Sequence, residues 1–136
     1  MVNSRVKGAA FEREIANKLQ DELGASFKRD IEQYRAADHG DIICNDDSFP
    51  YVLELKRYAG KGHTYVQAWW DQVEKAAQSA GKEPVLIYKY DRQPITVVMR
   101  LEHLMGDGAL HDEKVRMDWE AFIYVAREKW NDTPNA

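Results

Sequence analysis

The chain has 136 residues, 44% of them hydrophobic and 31% charged, with a formal charge of −4. That length and balance suit one soluble globular domain with a single core, and no run of residues reaches the apolar length of a membrane span. No basic-then-apolar leader opens the sequence. The one cysteine, Cys44, excludes an intrachain disulfide framework and a Cys-rich zinc site. It reads as a small buried strand residue in a reducing, cytoplasmic compartment. The acidity lowers the expectation of a nucleic-acid partner without removing it. Phosphate contact depends on local field, and basic clusters occur at Arg5 and Lys7, at Lys28, Arg29 and Arg35, and at Lys56, Arg57 and Lys61.

Ser4 can cap a helix that runs to Leu23 and stops at Gly24. On a helical wheel Ala16, Leu19 and Leu23 fall within about 40° of Glu12, with Phe11 and Ile15 flanking the stripe. Glu12 therefore sits inside the apolar face, where a carboxylate is costly unless a cation meets it. Gly8, one turn earlier, would let another element approach closely, and Arg5 lies on the same face within reach of a phosphate. The plain alternative for Glu12 is a partly buried acid paired with an Arg or Lys.

Phe27 to Tyr34 predicts a strand of mixed charge, 35–40 a loop, and Asp41 to Asn45 a short strand. Asp46-Asp47-Ser48 is a turn with exposed acids, leading into a strand from Pro50 to Arg57. Within that strand Glu54 and Lys56 are two apart and point the same way, with Leu53 and Leu55 on the opposite face. Residues 59–63 form a basic, flexible loop that lacks the spacing of a Walker phosphate loop. A second helix is predicted from Thr64 to Ala80, ending at Gly81, with Val66, Trp69, Val73, Ala76, Ala77 and Ala80 on its apolar face and Gln72 bordering it. Trp69-Trp70 reads as core or dimer surface ahead of a base-stacking platform.

Strands follow at Pro84 to Tyr90 and Pro94 to Arg100, then a helical turn at Leu101 to Met105 and a loop over 106–117. Trp119, Phe122, Ile123, Ala126 and Trp130 have helical spacing, although Phe122 to Ala126 also fits a buried strand. Residues 131–136 read as a flexible tail, leaving a single domain over 1–130. The order of helix, three strands, helix, further strands predicts an α/β fold. In it a three-strand meander and a crossover helix build a mixed central sheet flanked by helices.

Glu12, Asp41, Glu54 and Lys56 carry the chemistry. A Glu-x-Lys alone is expected by chance in about one chain in two of this length. A solvent-facing ion pair explains the strand equally well by itself. Three carboxylates and a lysine in this order, on a helix and two apolar strands, are instead the equipment for holding a divalent metal and activating water against a phosphodiester. Hard oxygen ligands suit Mg²⁺, with Mn²⁺ as a substitute, and argue against zinc. The four histidines, at 39, 63, 103 and 111, show no ligand spacing.

The same residues resemble the PD-(D/E)xK nuclease superfamily, and within it the archaeal-type Holliday junction resolvases and their phage-encoded relatives. Lys7-Gly8-Ala9-Ala10-Phe11-Glu12-Arg13 is similar to their opening motif, Gly40-Asp41-Ile42 to their metal-binding aspartate, and Glu54-Leu55-Lys56 to their Glu-x-Lys. Trp69-Trp70-Asp71-Gln72 is similar to a Trp-Trp-x-Gln of the phage members. The likeness covers residues 4–100. Gly40 replaces the proline common before the aspartate, and Gln33, Arg35 and His39 occupy the region of a catalytic-loop serine found in some archaeal members.

The resemblance implies a restriction-endonuclease-like core and a Mg²⁺-dependent endodeoxyribonuclease, most specifically a Holliday junction resolvase. In it Asp41, Glu54 and the Leu55 carbonyl hold metal, with Glu12 completing the site or positioning a second ion; Lys56 orients water or steadies the oxyanion, and Gln72 supports Lys56 or contacts the scissile region. Arg5, Lys7, Arg29, Gln33, Arg35, Arg57 and Lys61 become candidate contacts to branched or duplex DNA, positioning it without reading sequence. A two-fold symmetric junction implies a homodimer, with Trp70, Tyr65 and Trp130 as candidate interface aromatics. The rival readings are a nickase, repair endonuclease or exonuclease of the same fold, and a catalytically silent DNA-binding relative.

Overall fold

A computed structural model of the protein describes residues 4–30, 40–62, 64–106, 108 and 110–131, with side chains of the first helix from Gly8 onward. Helix α1 (Ser4–Leu23) leads into β1 (Phe27–Arg29), β2 (Ile42–Cys44) and β3 (Tyr51–Tyr58). Helix α2 (Gln67–Ala80) crosses to β4 (Glu83–Tyr90), then come β5 (Thr96–Arg100), α3 (Leu101–Met105), β6 (Lys114–Asp118) and α4 (Trp119–Asn131). The six strands form one sheet in the order β1-β2-β3-β4-β5-β6. Only β3 and β4 run parallel, with Leu53 opposite Val85 and Lys56 opposite Tyr88, and the other neighbours are antiparallel. This follows from connectivity: six residues join β2 to β3 and five join β4 to β5 as antiparallel neighbours, whereas the parallel pair needs the α2 crossover.

Strand alternation divides the core into two layers. Leu53, Leu55, Val85, Ile87, Val97 and Met99 face α1 and α4, meeting Phe11, Ile15, Leu19, Phe122, Ile123 and Ala126. Val52, Leu86, Tyr88 and Val98 face α2, meeting Trp69, Trp70, Val73, Ala76 and Ala77. Glu54 and Lys56 share the α2 side by the same alternation, opposite to Leu53 and Leu55. Each large side chain buried this way contributes on the order of 1.5–3 kcal/mol.

Several expectations are corrected. Trp70 is 2% exposed and packs in the α2 layer, while Trp130 lies edge-on to Phe49 and donates from its indole nitrogen to the Ser48 hydroxyl at 2.9 Å. Neither is a free interface aromatic, and Tyr65 is half-buried against the α2 layer. Among the described residues, nothing lies within 4 Å of a Cβ built at Gly8. Helix α2 begins at Gln67 rather than Thr64, because Val66 is extended (φ −92°, ψ 136°). Its end at Gly81 is as expected, in the left-handed region at φ 67°.

The stretch expected as a loop over 106–117 contains β6, an edge strand whose Lys114, Arg116 and Asp118 alternate with Val115 and Met117. Asp118 then caps α4, accepting from the Ala121 backbone N–H at 2.8 Å, so the strand alternative for Phe122 to Ala126 falls. Cys44 is half-buried rather than buried. Strand β1 stops at Arg29; residues 31–34 of the expected strand lie outside the described residues.

Candidate active site

Asp41 is fixed by the way β2 begins. Its backbone N–H donates to the Leu53 carbonyl at 2.8 Å and its carbonyl accepts from the Asp30 N–H at 3.0 Å, locking it between β1 and β3. Strand β3 runs on past the end of β2, which leaves the Leu55 N–H without a strand partner on that side. The Asp41 side chain takes its place, with Oδ2 accepting from Leu55 N at 2.7 Å. By strand geometry the Leu55 carbonyl faces the same edge as its N–H, toward the Asp41 carboxylate.

Gly40 makes the approach possible. It sits at φ 75°, and a Cβ there would lie 2.6 Å from the Leu53 carbonyl oxygen and 3.0 Å from a Val52 methyl. Proline, whose ring fixes φ near −65°, cannot adopt this conformation. The glycine before the aspartate is therefore required by the local backbone.

Glu54 meets Asp41 in the buried interior, the two being 6% exposed each. Burial pushes the Glu54 carboxyl up to about 9, and the Asp41 charge and its hydrogen bond to Asp41 push the same way, opposed by Lys56. Asp41 is raised too, first by burial, with the Glu54 and Leu55 hydrogen bonds and Lys56 pulling it down. Two carboxylates in a dry site cannot both ionise cheaply without a cation. Lys56 stands at the lip of the pair, its Nζ 3.7 Å from Glu54 Oε2 and donating to Gln72 Oε1 on α2 at 3.1 Å. Replacing Gln72 by alanine frees the lysine from that anchor. If the pair is the metal centre of a nuclease, as the sequence resemblance implies, cleavage should slow by about 10- to 100-fold with the metal requirement unchanged, as metal titrations of the cleavage rate would show.

Glu12 approaches the pair from the other helix layer, close enough to feel the Asp41 charge. It reaches from α1, across the sheet from α2, and its Oε1 accepts from Arg29 Nε at 2.9 Å. Burial raises its pKa, the Arg29 hydrogen bond lowers it, and Asp41 adds a further upward push. The Asp41 charge thus acts on both Glu54 and Glu12. The plain alternative for Glu12, a half-buried acid with an arginine partner, describes its contacts. Among the described residues, no three acidic, histidine or cysteine side chains are grouped to hold a metal ion.

The oxygen-rich Asp41–Glu54 pair, with its suppressed ionisation, nevertheless fits a hard divalent cation, with the Leu55 carbonyl as a further candidate donor. Asp30 was not singled out from the sequence. It is 7% exposed beside Asp41, and its charge contributes to raising the Asp41 pKa. The signal was available: Asp30 continues β1 to the point where the antiparallel register meets Asp41.

Of the basic candidates, Arg29 is engaged by Glu12, and Arg57 pairs with Asp91 at 2.7 Å and donates to the Tyr58 carbonyl. Lys61 is exposed. Gln33 and Arg35, and the side chains of Arg5 and Lys7, lie outside the described residues.

A family model described as "Phage putative PDDEXK endonuclease" matches residues 3–133. A search of curated proteins finds no match. Among solved structures, the Archaeoglobus fulgidus protein Hjc, a Holliday junction resolvase from an archaeal hyperthermophile, is similar with a TM-score of 0.55 at 15% identity. The similarity covers 89% of this chain and 98% of that one. The mixed sheet with helices on both faces is accordingly a restriction-endonuclease-like fold.

Proposed function

The chain belongs to the phage PD-(D/E)xK endonuclease family, and on that premise we propose that it is a divalent-metal-dependent, structure-selective DNA endonuclease whose preferred substrate is the four-way junction. The observation that carries the reading is the buried Asp41–Glu54 pair with Lys56 at its lip. Asp41 and Glu54, with the Leu55 carbonyl, would hold Mg²⁺ or Mn²⁺, which would supply Lewis-acid activation of water and neutralisation of phosphate charge.

The protein's own groups do the rest. Asp41, held on three sides by backbone contacts, keeps its carboxylate aimed at the site. Glu54 faces it from β3, and the Leu55 carbonyl lies along the same edge. Lys56, anchored by Gln72, presents an ammonium to the reacting phosphate, orienting the water or steadying the oxyanion. Glu12, through Arg29, sets the field behind Asp41. Lys61, together with Arg5, Lys7, Arg35 and Arg57, would contact the DNA backbone, which positions a duplex without selecting a sequence.

The likeness to a junction resolvase supports the choice of branched DNA. Paired cuts across a two-fold junction need two copies of the site, so a homodimer is part of the proposal. For a phage-encoded enzyme, the working compartment would be the host cytoplasm.

The test is a substrate panel: a labelled four-way junction beside matched linear, nicked and flapped duplexes in Mg²⁺. Symmetric paired nicks in the junction are expected, at least about 10-fold faster than cuts in linear DNA. Equal cleavage of linear DNA would leave a general endonuclease. Degradation from ends would make it an exonuclease. Binding without cleavage would leave a silent relative of the fold.

A further inference from the structure

On the α2 side of β3, the row that carries Glu54 and Lys56 continues to Tyr58, at about 6.6 Å per two-residue step. Tyr58 is 47% exposed, an unusual place for a large ring directly beyond a buried acidic site. One face of the ring lies flat on Trp69, with centroids 4.9 Å apart and planes 25° apart. Trp69 is itself buried, braced by Tyr88 and Tyr90. The result is a rigid aromatic shelf with Tyr58 as its outer leaf, held in place by core residues.

Beside the shelf, across Tyr90, runs a cleft of about 540 Å³ between Lys61, Gly62 and Thr64 on one side and the β4–β5 turn with Tyr90, Asp91 and Arg92 on the other. That volume lies within the range of small-ligand sites. The loop wall is set by the Gly62 backbone lying against the Tyr90 ring and by the Tyr90 hydroxyl donating to the Thr64 carbonyl at 2.9 Å. The turn wall carries Arg92 at φ 61°, the one described non-glycine residue in the left-handed region. Glycine or asparagine would take that conformation at less cost, so the turn carries some strain while placing a guanidinium at the cleft. An aromatic leaf with a polar, cation-bearing cleft beside it has the chemistry that recognises a nucleobase and its phosphate.

We propose that Tyr58, backed by Trp69, stacks an unpaired nucleobase one or two nucleotides from the scissile phosphate, with Lys61 and Arg92 holding that nucleotide's phosphate. This rests on the DNA-endonuclease reading and deepens it. A paired base cannot reach the shelf, so the site selects DNA whose strands separate at a branch, bulge or mismatch.

The test uses the full chain in Ca²⁺, with 2-aminopurine placed one or two nucleotides from the cleavage position in a branched DNA and in its fully paired linear counterpart. Quenching of the branched probe is expected for the native protein and for Tyr58→Phe, which keeps the ring. Tyr58→Ala and Tyr58→Leu should lose the quenching and weaken binding of the branched DNA by about 5- to 100-fold relative to linear DNA. The leucine variant keeps apolar bulk over Trp69 in case the alanine variant unfolds. A Lys61→Ala, Arg92→Ala double variant should weaken both DNAs and reduce the salt dependence of binding. Unchanged quenching and unchanged preference in both the alanine and leucine variants would overturn the proposal. If no DNA is cleaved by the native protein but quenching depends on Tyr58, the nuclease reading fails and the base shelf stands.

Discussion

Glu54→Gln is expected to yield a protein that cleaves no DNA and yet, without metal, is more stable than the native chain at pH 8. Glutamine has the same shape, carries no charge and can still donate to Asp41. The sign follows from linkage. Glu54 loses its proton near 4.5 when unfolded and at about 9 when folded, so between those values the native state binds more protons. Metal-free native protein is therefore favoured most at the acid end and loses stability as pH rises from about 4.5 toward 9. The limit is about 1.4 kcal/mol per pH unit.

Sharing of the proton with Asp41 softens the penalty, and about 2–4 kcal/mol at pH 8 is a reasonable expectation for what the glutamine recovers. That is on the order of 10 °C in melting temperature. Thermal scans in EDTA from pH 5 to 9 should show a falling profile for the native chain and a flatter, higher one for the variant. Adding Mg²⁺ should stabilise the native chain and leave the variant unmoved. If the variant melts at or below the native temperature at pH 8, the two carboxylates do not repel as described.

Gly40→Ala is expected to damage fold and site together. A left-handed residue without glycine's freedom costs about 1 kcal/mol, and the added Cβ meets the Leu53 carbonyl oxygen at 2.6 Å and the Leu53 nitrogen at 3.1 Å. These are backbone atoms of a central strand and cannot turn aside, so overpacking adds about 1–3 kcal/mol more. Relief requires moving the segment that holds Asp41, breaking its 2.8 Å bond to Leu53. A shift on the order of 1 Å at such a group costs about 100-fold in rate. Gly24→Ala is the matched control, with φ 80° but open space around its Cβ position. Urea midpoints should separate the two variants clearly, and cleavage should fall only in Gly40→Ala. Equal losses in both would mean that close packing at Gly40 contributes nothing.

The parts of the fold legible in the sequence were those written in strong periodic patterns. Helix α1 to its stop at Gly24, the alternation of Glu54 and Lys56 against Leu53 and Leu55, and the α2 crossover ending at Gly81 all follow from local rules. The pairing of Asp41 with Glu54 and of Lys56 with Gln72 could be anticipated only through ordered spacing together with the resemblance.

What stayed hidden depends on long-range placement. Strand β6 is an edge strand, half-exposed and charged, so its alternation is diluted. Trp70 stands off the helix's main apolar stripe and so reads as core or dimer surface; it is buried in the cluster that includes Val98 of β5, with Lys114 of β6 5.5 Å over its ring. Glu12 shares a helix face with the core, but the helix packs on the side of the sheet away from Glu54 and next to Arg29. Asp30 enters the site through strand register, which no single segment displays.

The central claim is that Asp41 and Glu54 form the metal site of a DNA-cleaving centre. Its most direct test is single-turnover cleavage of a four-way junction as Mg²⁺ is titrated from an EDTA-treated start, for the native chain and Glu54→Gln. The account predicts no cleavage without metal, a saturable rise with Mg²⁺, and at least about a 1,000-fold lower plateau in the variant. Cleavage that persists in EDTA, or survives Glu54→Gln at a comparable rate, would contradict it.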